Sequence, residues 1–172
     1  MKNFVAGTVN ATVLAAMIAT GAFHYGTAAA EPHSIEDTDI EIVTDEELHC
    51  LQQNIYFEAG NQSTLGQVAV AWVTLNRVDS DRYPNSICKV VWQRKQFSWT
   101  HDGKPDSPAA NVLEQRAWED AGLVAEVALL DWAQNEQSPI DAATMFHADY
   151  VTPYWTTAYD QVVQIDTHIF YQ

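Results

Sequence analysis

Residues Leu51 to Val78 read LQQNIYFEAGNQSTLGQVAVAWVTLNRV, and the way this stretch divides decides the fold. Thr44, with Glu47 three residues on, forms a capping box; Leu48, Leu51 and Ile55 then recur at helical spacing, which predicts a helix from near Thr44. Gly60 and Asn61 stop it. Thr64 with Gln67 reads as a second capping box, opening a helix through Val68, Ala71, Trp72, Leu75 and Val78 that is apolar on most sides and is expected at the centre of the core. Glu58 falls in the last turn of the first helix. There the negative end of the macrodipole disfavours an ionised carboxylate, and Tyr56, Phe57 and Ala59 solvate it poorly. Both effects raise its pKa, and a carboxyl kept protonated near neutral pH is what general-acid cleavage of a glycosidic bond requires.

On position alone, a Glu at a helix end is most often a solvated surface residue; the surrounding string narrows the choice. IYFEAGNQS, followed by Gly66-Gln67, Ala69-Val70-Ala71 and Leu75-Asn76-Arg77-Val78, resembles the SleB-type cell-wall hydrolases, whose signature reads approximately IYFEARGES, GQ, AVA and LNRV. PNSICKVVWQ, QFSW with Asp102-Gly103, FHADYVTPYW and the terminal HIFY extend the resemblance over roughly residues 48–171. It implies a lysozyme-like α+β fold, with a mainly helical body and a small antiparallel β lobe. It also implies cleavage of peptidoglycan between N-acetylmuramic acid and N-acetylglucosamine, by a lytic transglycosylase mechanism in the characterised members. Glu58 is then the catalytic acid, and Gln62, Gln67, Ser98, Trp99, His147 and Tyr150 are the candidate substrate ligands. The chain departs from the signature where Gly60, Asn61 and Gln62 replace Arg, Gly and Glu. A second carboxylate is therefore missing, although the Gln62 amide still donates and accepts hydrogen bonds. Asp102 and Asp149 are the other carboxylates the fold can bring near Glu58.

Length and composition suit one domain with an ample core: 172 residues, 47% hydrophobic and 11% aromatic. Eight Lys plus Arg against 23 Asp plus Glu give a formal charge of −15, with every acidic residue at or beyond Glu31. This argues against nucleic-acid binding and leaves recognition of an anionic wall to local hydrogen bonds and stacking. Lys2, an uncharged run from Asn3 to about Tyr25 and the triplet Ala28-Ala29-Ala30 read as an export leader over residues 1–30, cleaved or kept as an anchor. Residues 31–43 read as a flexible acidic linker and residues 44–172 as the catalytic domain. The protein is accordingly expected as an exported monomer whose partner is peptidoglycan, touching membrane only through an uncleaved leader.

Two cysteines, Cys50 and Cys88, in an oxidising compartment predict one disulfide, with buried free thiols the alternative. Neither they nor the six scattered His have zinc-ligand spacing, so no metal or other cofactor is expected, and a zinc amidase is disfavoured. The remaining competitors are a water-using muramidase and a noncatalytic wall-binding or virion structural protein of the same fold.

Along the rest of the chain, Ile87, Val90 and Val91 predict a short helix, and Gln96 to Trp99 a hairpin or extended segment. Phe97 reads as core, whereas Trp99 suits core and sugar stacking equally. Ser107-Pro108 predicts the cap and first residue of a long helix to about Gln134, whole or broken at Gly122. Met145 to Val151 and Gln161 to Tyr171, with an Asp166-Thr167 turn, predict a small antiparallel sheet. His147 suits a glycan ligand and a hydrogen-bonded core residue about equally.

Overall fold

Thr44 accepts a hydrogen bond from the Glu47 amide at 3.2 Å and starts α1, Asp45–Ala59. The structure, a computed structural model, describes residues 43–172; the leader expected over residues 1–30, and all but the last residue of the expected linker, lie outside them. The chain turns through residues 60–63 into α2, Thr64–Asp79. The cap is Ser63, one residue before the predicted Thr64: its hydroxyl accepts from Gly66 N at 3.2 Å. Asp166 explains the shift, because its Oδ2 takes both the amide and the hydroxyl of Ser63, at 2.9 and 2.6 Å, and fixes that residue in the extended conformation a cap needs.

Ala69, Val70, Ala71, Val73 and Leu75 of α2 are fully buried, so it is the central helix that its apolar perimeter predicts. It packs against α1, the short α3 (Ile87–Val91), and α4, Val112–Ala133. α4 is continuous. Gly122 does not break it but admits Gln52, whose Nε2 would lie 2.8 Å from a Cβ at that position. Its cap is Asn111, which accepts from Leu113 N and Glu114 N at 3.1 Å, rather than the predicted Ser107. Gln53 explains the delay: its Nε2 donates to Asp106 O at 2.9 Å and holds the preceding segment against α1 as a loop.

Of the hairpin or extended segment expected at Gln96 to Trp99, only Phe97 is extended, and it leads into a 3-10 turn, Ser98–His101. The Thr100 hydroxyl donates to Phe97 O at 2.9 Å and closes the turn. The C-terminal strands behave as predicted. β1 (Met145–Ala148), β2 (Gln161–Ile165) and β3 (His168–Tyr171) form an antiparallel sheet of order β1-β3-β2, with a bulge between Gln161 and Val163. A second 3-10 turn, Tyr154–Ala158, links β1 to β2. The architecture is thus a helical body carrying a three-stranded sheet. Cys50 of α1 and Cys88 of α3 are joined in a disulfide with a Cα–Cα distance of 5.2 Å.

Candidate active site

Glu58 occupies the last turn of α1, half-buried, with its pKa pushed up to about 7. Burial is the main cause, and the positive charge of Arg77 on α2 limits the rise. The next helical residue, Ala59, is fully buried, and the preceding Phe57 stacks on Trp99 with centroids 4.6 Å apart. The residues flanking the carboxyl along the helix thus offer it little solvation, and Arg77 is the charge that acts on it. A group that is half protonated near neutral pH can release a proton to a leaving oxygen and recover one later.

Arg77 escaped the sequence reading as a site residue, because a lone Arg at the end of a buried helix reads as an ion-pair or capping residue. It is 3% exposed. Its Nε donates to Thr144 O at 2.8 Å, and its guanidinium carbon lies 5.3 Å from the Tyr83 ring centroid and 5.2 Å from that of Phe97. Beside it, Asn76 donates at 2.9 Å to both Asp141 O and Ala143 O and so ties the end of α2 to the segment before β1.

The predicted ligands fall into two groups. Ser98 and Trp99 lie on the aromatic side of α1. Ser98 is exposed; Trp99 is 6% exposed and donates from Nε1 to Asn54 Oδ1 at 3.4 Å, so the core holds most of its surface. One edge of Trp99, together with Tyr56, Phe57, Asp102, Lys104 and Ser107, borders a concavity of 430 Å³ that adjoins α1 without including Glu58. Tyr56 is fixed there by a hydrogen bond to Glu114, and burial with that carboxylate pushes its phenol up to about 12. Asp102 is held below the usual carboxylate range by the Lys104 amide and ammonium, the latter at 3.2 Å, and so remains ionised.

The second group is divided between the α1–α2 turn and the region of the sheet, with Gln62 bridging the two. Gln62 accepts from the Thr167 hydroxyl at 3.0 Å and donates to Asn61 Oδ1 at 2.9 Å, so its amide is engaged by the protein at both ends. Gln67 is 6% exposed and reaches Gln62 O at 3.5 Å. His147, also buried, shares its Nδ1 with Ala148 O at 2.8 Å and its Nε2 with the Tyr171 hydroxyl at 3.0 Å. Tyr150 projects into solvent. The neighbouring Asp149 is tied to the same corner through its amide, which donates to Thr167 O at 2.8 Å. Among the described residues no cluster of three or more His, Cys, Asp or Glu is placed to hold a metal ion.

Glu58 is the carboxyl whose pKa is raised, at the end of a helix in a helical body that carries a three-stranded sheet, and the chain belongs to the cell wall hydrolase family, matched over residues 61–171. The match begins three residues after Glu58. Among similar proteins, the spore cortex-lytic enzyme of Halalkalibacterium halodurans is 32% identical over 132 residues, 74% of this chain and 35% of that protein. The spore cortex-lytic enzyme of Bacillus subtilis is 29% identical over 143 residues, 83% of this chain and 40% of that one. The chain thus spans well under half the length of these curated relatives. The solved catalytic domain of the germination-specific lytic transglycosylase SleB from Bacillus anthracis superposes with a TM-score of 0.57 at 28% identity, over 75% of this chain and 96% of that domain. The catalytic domain of Bacillus cereus SleB gives 0.53 at the same identity, over 75% and 91%.

Proposed function

We propose that this protein cleaves the glycan strands of peptidoglycan between N-acetylmuramic acid and N-acetylglucosamine as a lytic transglycosylase, acting as an exported monomer. Residues 1–30 serve as its leader, 31–43 as a linker and 44–172 as the catalytic domain. The observation that carries the chemistry is Glu58, a half-buried carboxyl with a pKa of about 7 in a domain resembling one whose solved relative is a lytic transglycosylase. Glu58 protonates the glycosidic oxygen as the bond to the muramic acid C1 breaks. Its carboxylate then takes the proton of the C6 hydroxyl of the same sugar, which closes the 1,6-anhydro ring. Hydrolysis with inversion or retention ordinarily needs a second carboxylate, whereas the intramolecular route lets one group act as acid and then as base. Gln62, which stands where the resembling signature has Glu, supports that route: it has no carboxylate, and its amide is given to Thr167 and Asn61.

The test is Glu58→Gln on purified peptidoglycan. Turnover should fall about 100-fold or more, the scale of general acid–base catalysis, while the fold persists. Wild-type products should end in 1,6-anhydromuramic acid. Reducing-end muramic acid as the main product would overturn the intramolecular route, and near-normal activity of the variant would overturn the acid.

A further inference from the structure

Arg77 is buried in a way that packing alone does not explain. Its Nη1 lies fully inside the protein with no hydrogen-bond partner, and among the described residues no carboxylate lies within ion-pair distance of the guanidinium. A buried cation without a contacting counter-ion is costly, and an apolar residue of similar volume is often as stable or more so. The guanidinium is nevertheless held rigidly, by Thr144 O and between the faces of Tyr83 and Phe97. Of the groups around it, Tyr83 and Arg82 come from the loop after α2, with Arg82 reaching Thr144 Oγ1 at 3.5 Å and lying over the Tyr83 ring. Phe97 and Thr144 carry no charge. Burial lowers the Arg77 pKa, and the Tyr83 phenol and then the Glu58 carboxyl act against that; on Glu58 the charge that bears is that of Arg77.

We infer that Arg77 is a positioning residue for the catalytic acid: a fixed, buried cation that stabilises the Glu58 carboxylate each time the proton leaves it, without contacting substrate. This rests on Glu58 being the acid. An Arg in direct contact would hold the carboxylate permanently ionised and abolish its acidity. One held beyond ion-pair distance lowers the cost of proton release while leaving the proton in place near neutral pH. The unpartnered Nη1 fits that reading, since no carboxylate among the described residues is paired with the guanidinium.

The experiment measures kcat and KM against pH for wild type, Arg77→Gln, Arg77→Met, Arg77→Lys and Glu58→Gln on one peptidoglycan substrate. Gln keeps a donor for Thr144 O, Met keeps volume, and both remove the charge. In either neutral variant the alkaline limb of kcat should move upward by about one pH unit, the effect of losing one nearby opposite charge. Their kcat at the optimum should fall about tenfold, within the range of general acid–base effects, with KM little changed. Arg77→Lys, whose ammonium is shorter and more strongly hydrated, should place the limb in between. A residue that merely supports the fold would lower activity at every pH and leave the limb where it was. If Glu58→Gln is inactive while the limb stays at the wild-type position in the neutral variants, the role of Arg77 is overturned and the acid stands. If Glu58→Gln is active, the acid itself falls, and Arg77 with it. Should neither neutral variant fold, Arg77→Lys decides: an upward displacement supports the inference and an unmoved limb overturns it.

Discussion

Glu58 is ionised near pH 4.5 in an unfolded chain but only near 7 in the folded one. Between those values the native state binds more protons than the unfolded state, so stability falls as pH rises through the window and levels off above about 7. This is the reverse of the usual carboxylate, whose folded pKa is depressed. Glu58→Gln removes the titration. Relative to wild type it should therefore gain stability on going from pH 4.5 to pH 8, by about 2 kcal/mol once the half-exposed setting is discounted. Urea denaturation at the two pH values checks it; a difference between the proteins that does not change with pH would mean that burial does not raise this pKa. How much of this was readable in advance follows from where each cause lies. The helix end and the flanking aromatics that weaken solvation of Glu58 are neighbours in sequence. Arg77 is 19 positions away on another helix, and only the crossing of α1 with α2 brings the two charges into one environment.

Local signals served the elements well where nothing distant competed with them. Thr44 and Glu47 cap α1 because both partners sit within one turn, and the Asp166-Thr167 turn forms because Asp166 tolerates φ of 49°. Where a distant partner intervened, the same signals misplaced a boundary. Ser107-Pro108 has the same local chemistry as a helix start, yet Gln53 captures Asp106 O and the helix waits for Asn111. Asp102-Gly103 has the chemistry of a hairpin turn, but the flanking residues enter a 3-10 turn. The disulfide was legible because only one pairing of two cysteines exists. It closes a loop with a sequence separation of 38, for which chain entropy predicts about 4 kcal/mol of stabilisation. Glu47 also accepts the Cys88 amide at 2.9 Å, so α3 keeps a second tether to α1 when the bridge is opened. The loss on reduction should therefore come mainly from the freer unfolded chain. Thermal unfolding of oxidised against reduced and alkylated protein should show a melting temperature lower by about 10 °C; equal temperatures would show that the bridge contributes nothing.

Over the whole molecule, a formal charge of −15 with eight Lys plus Arg leaves little opposite charge to offset mutual repulsion, and one of those eight, Arg77, is buried. Added salt screens such repulsion over a Debye length that falls from about 30 Å at 0.01 M to about 3 Å at 1 M. The melting temperature should therefore rise by several degrees between low and moderate sodium chloride, as followed by circular dichroism, and a fall would show that specific ion pairs outweigh the repulsion. The sheet carries a consequence of a different kind. β3 comes after both β1 and β2 in the chain yet lies between them, and its preceding turn holds Gln62 and Ser63 at the α1–α2 junction. As the polypeptide leaves the ribosome, α1 and α2 can therefore assemble early. β1 and β2 have no strand to pair with until β3 has emerged, and the corner beside Glu58 stays unlatched until then. The sheet, and with it the latch on the α1–α2 turn, therefore closes only after all three of its strands have been made.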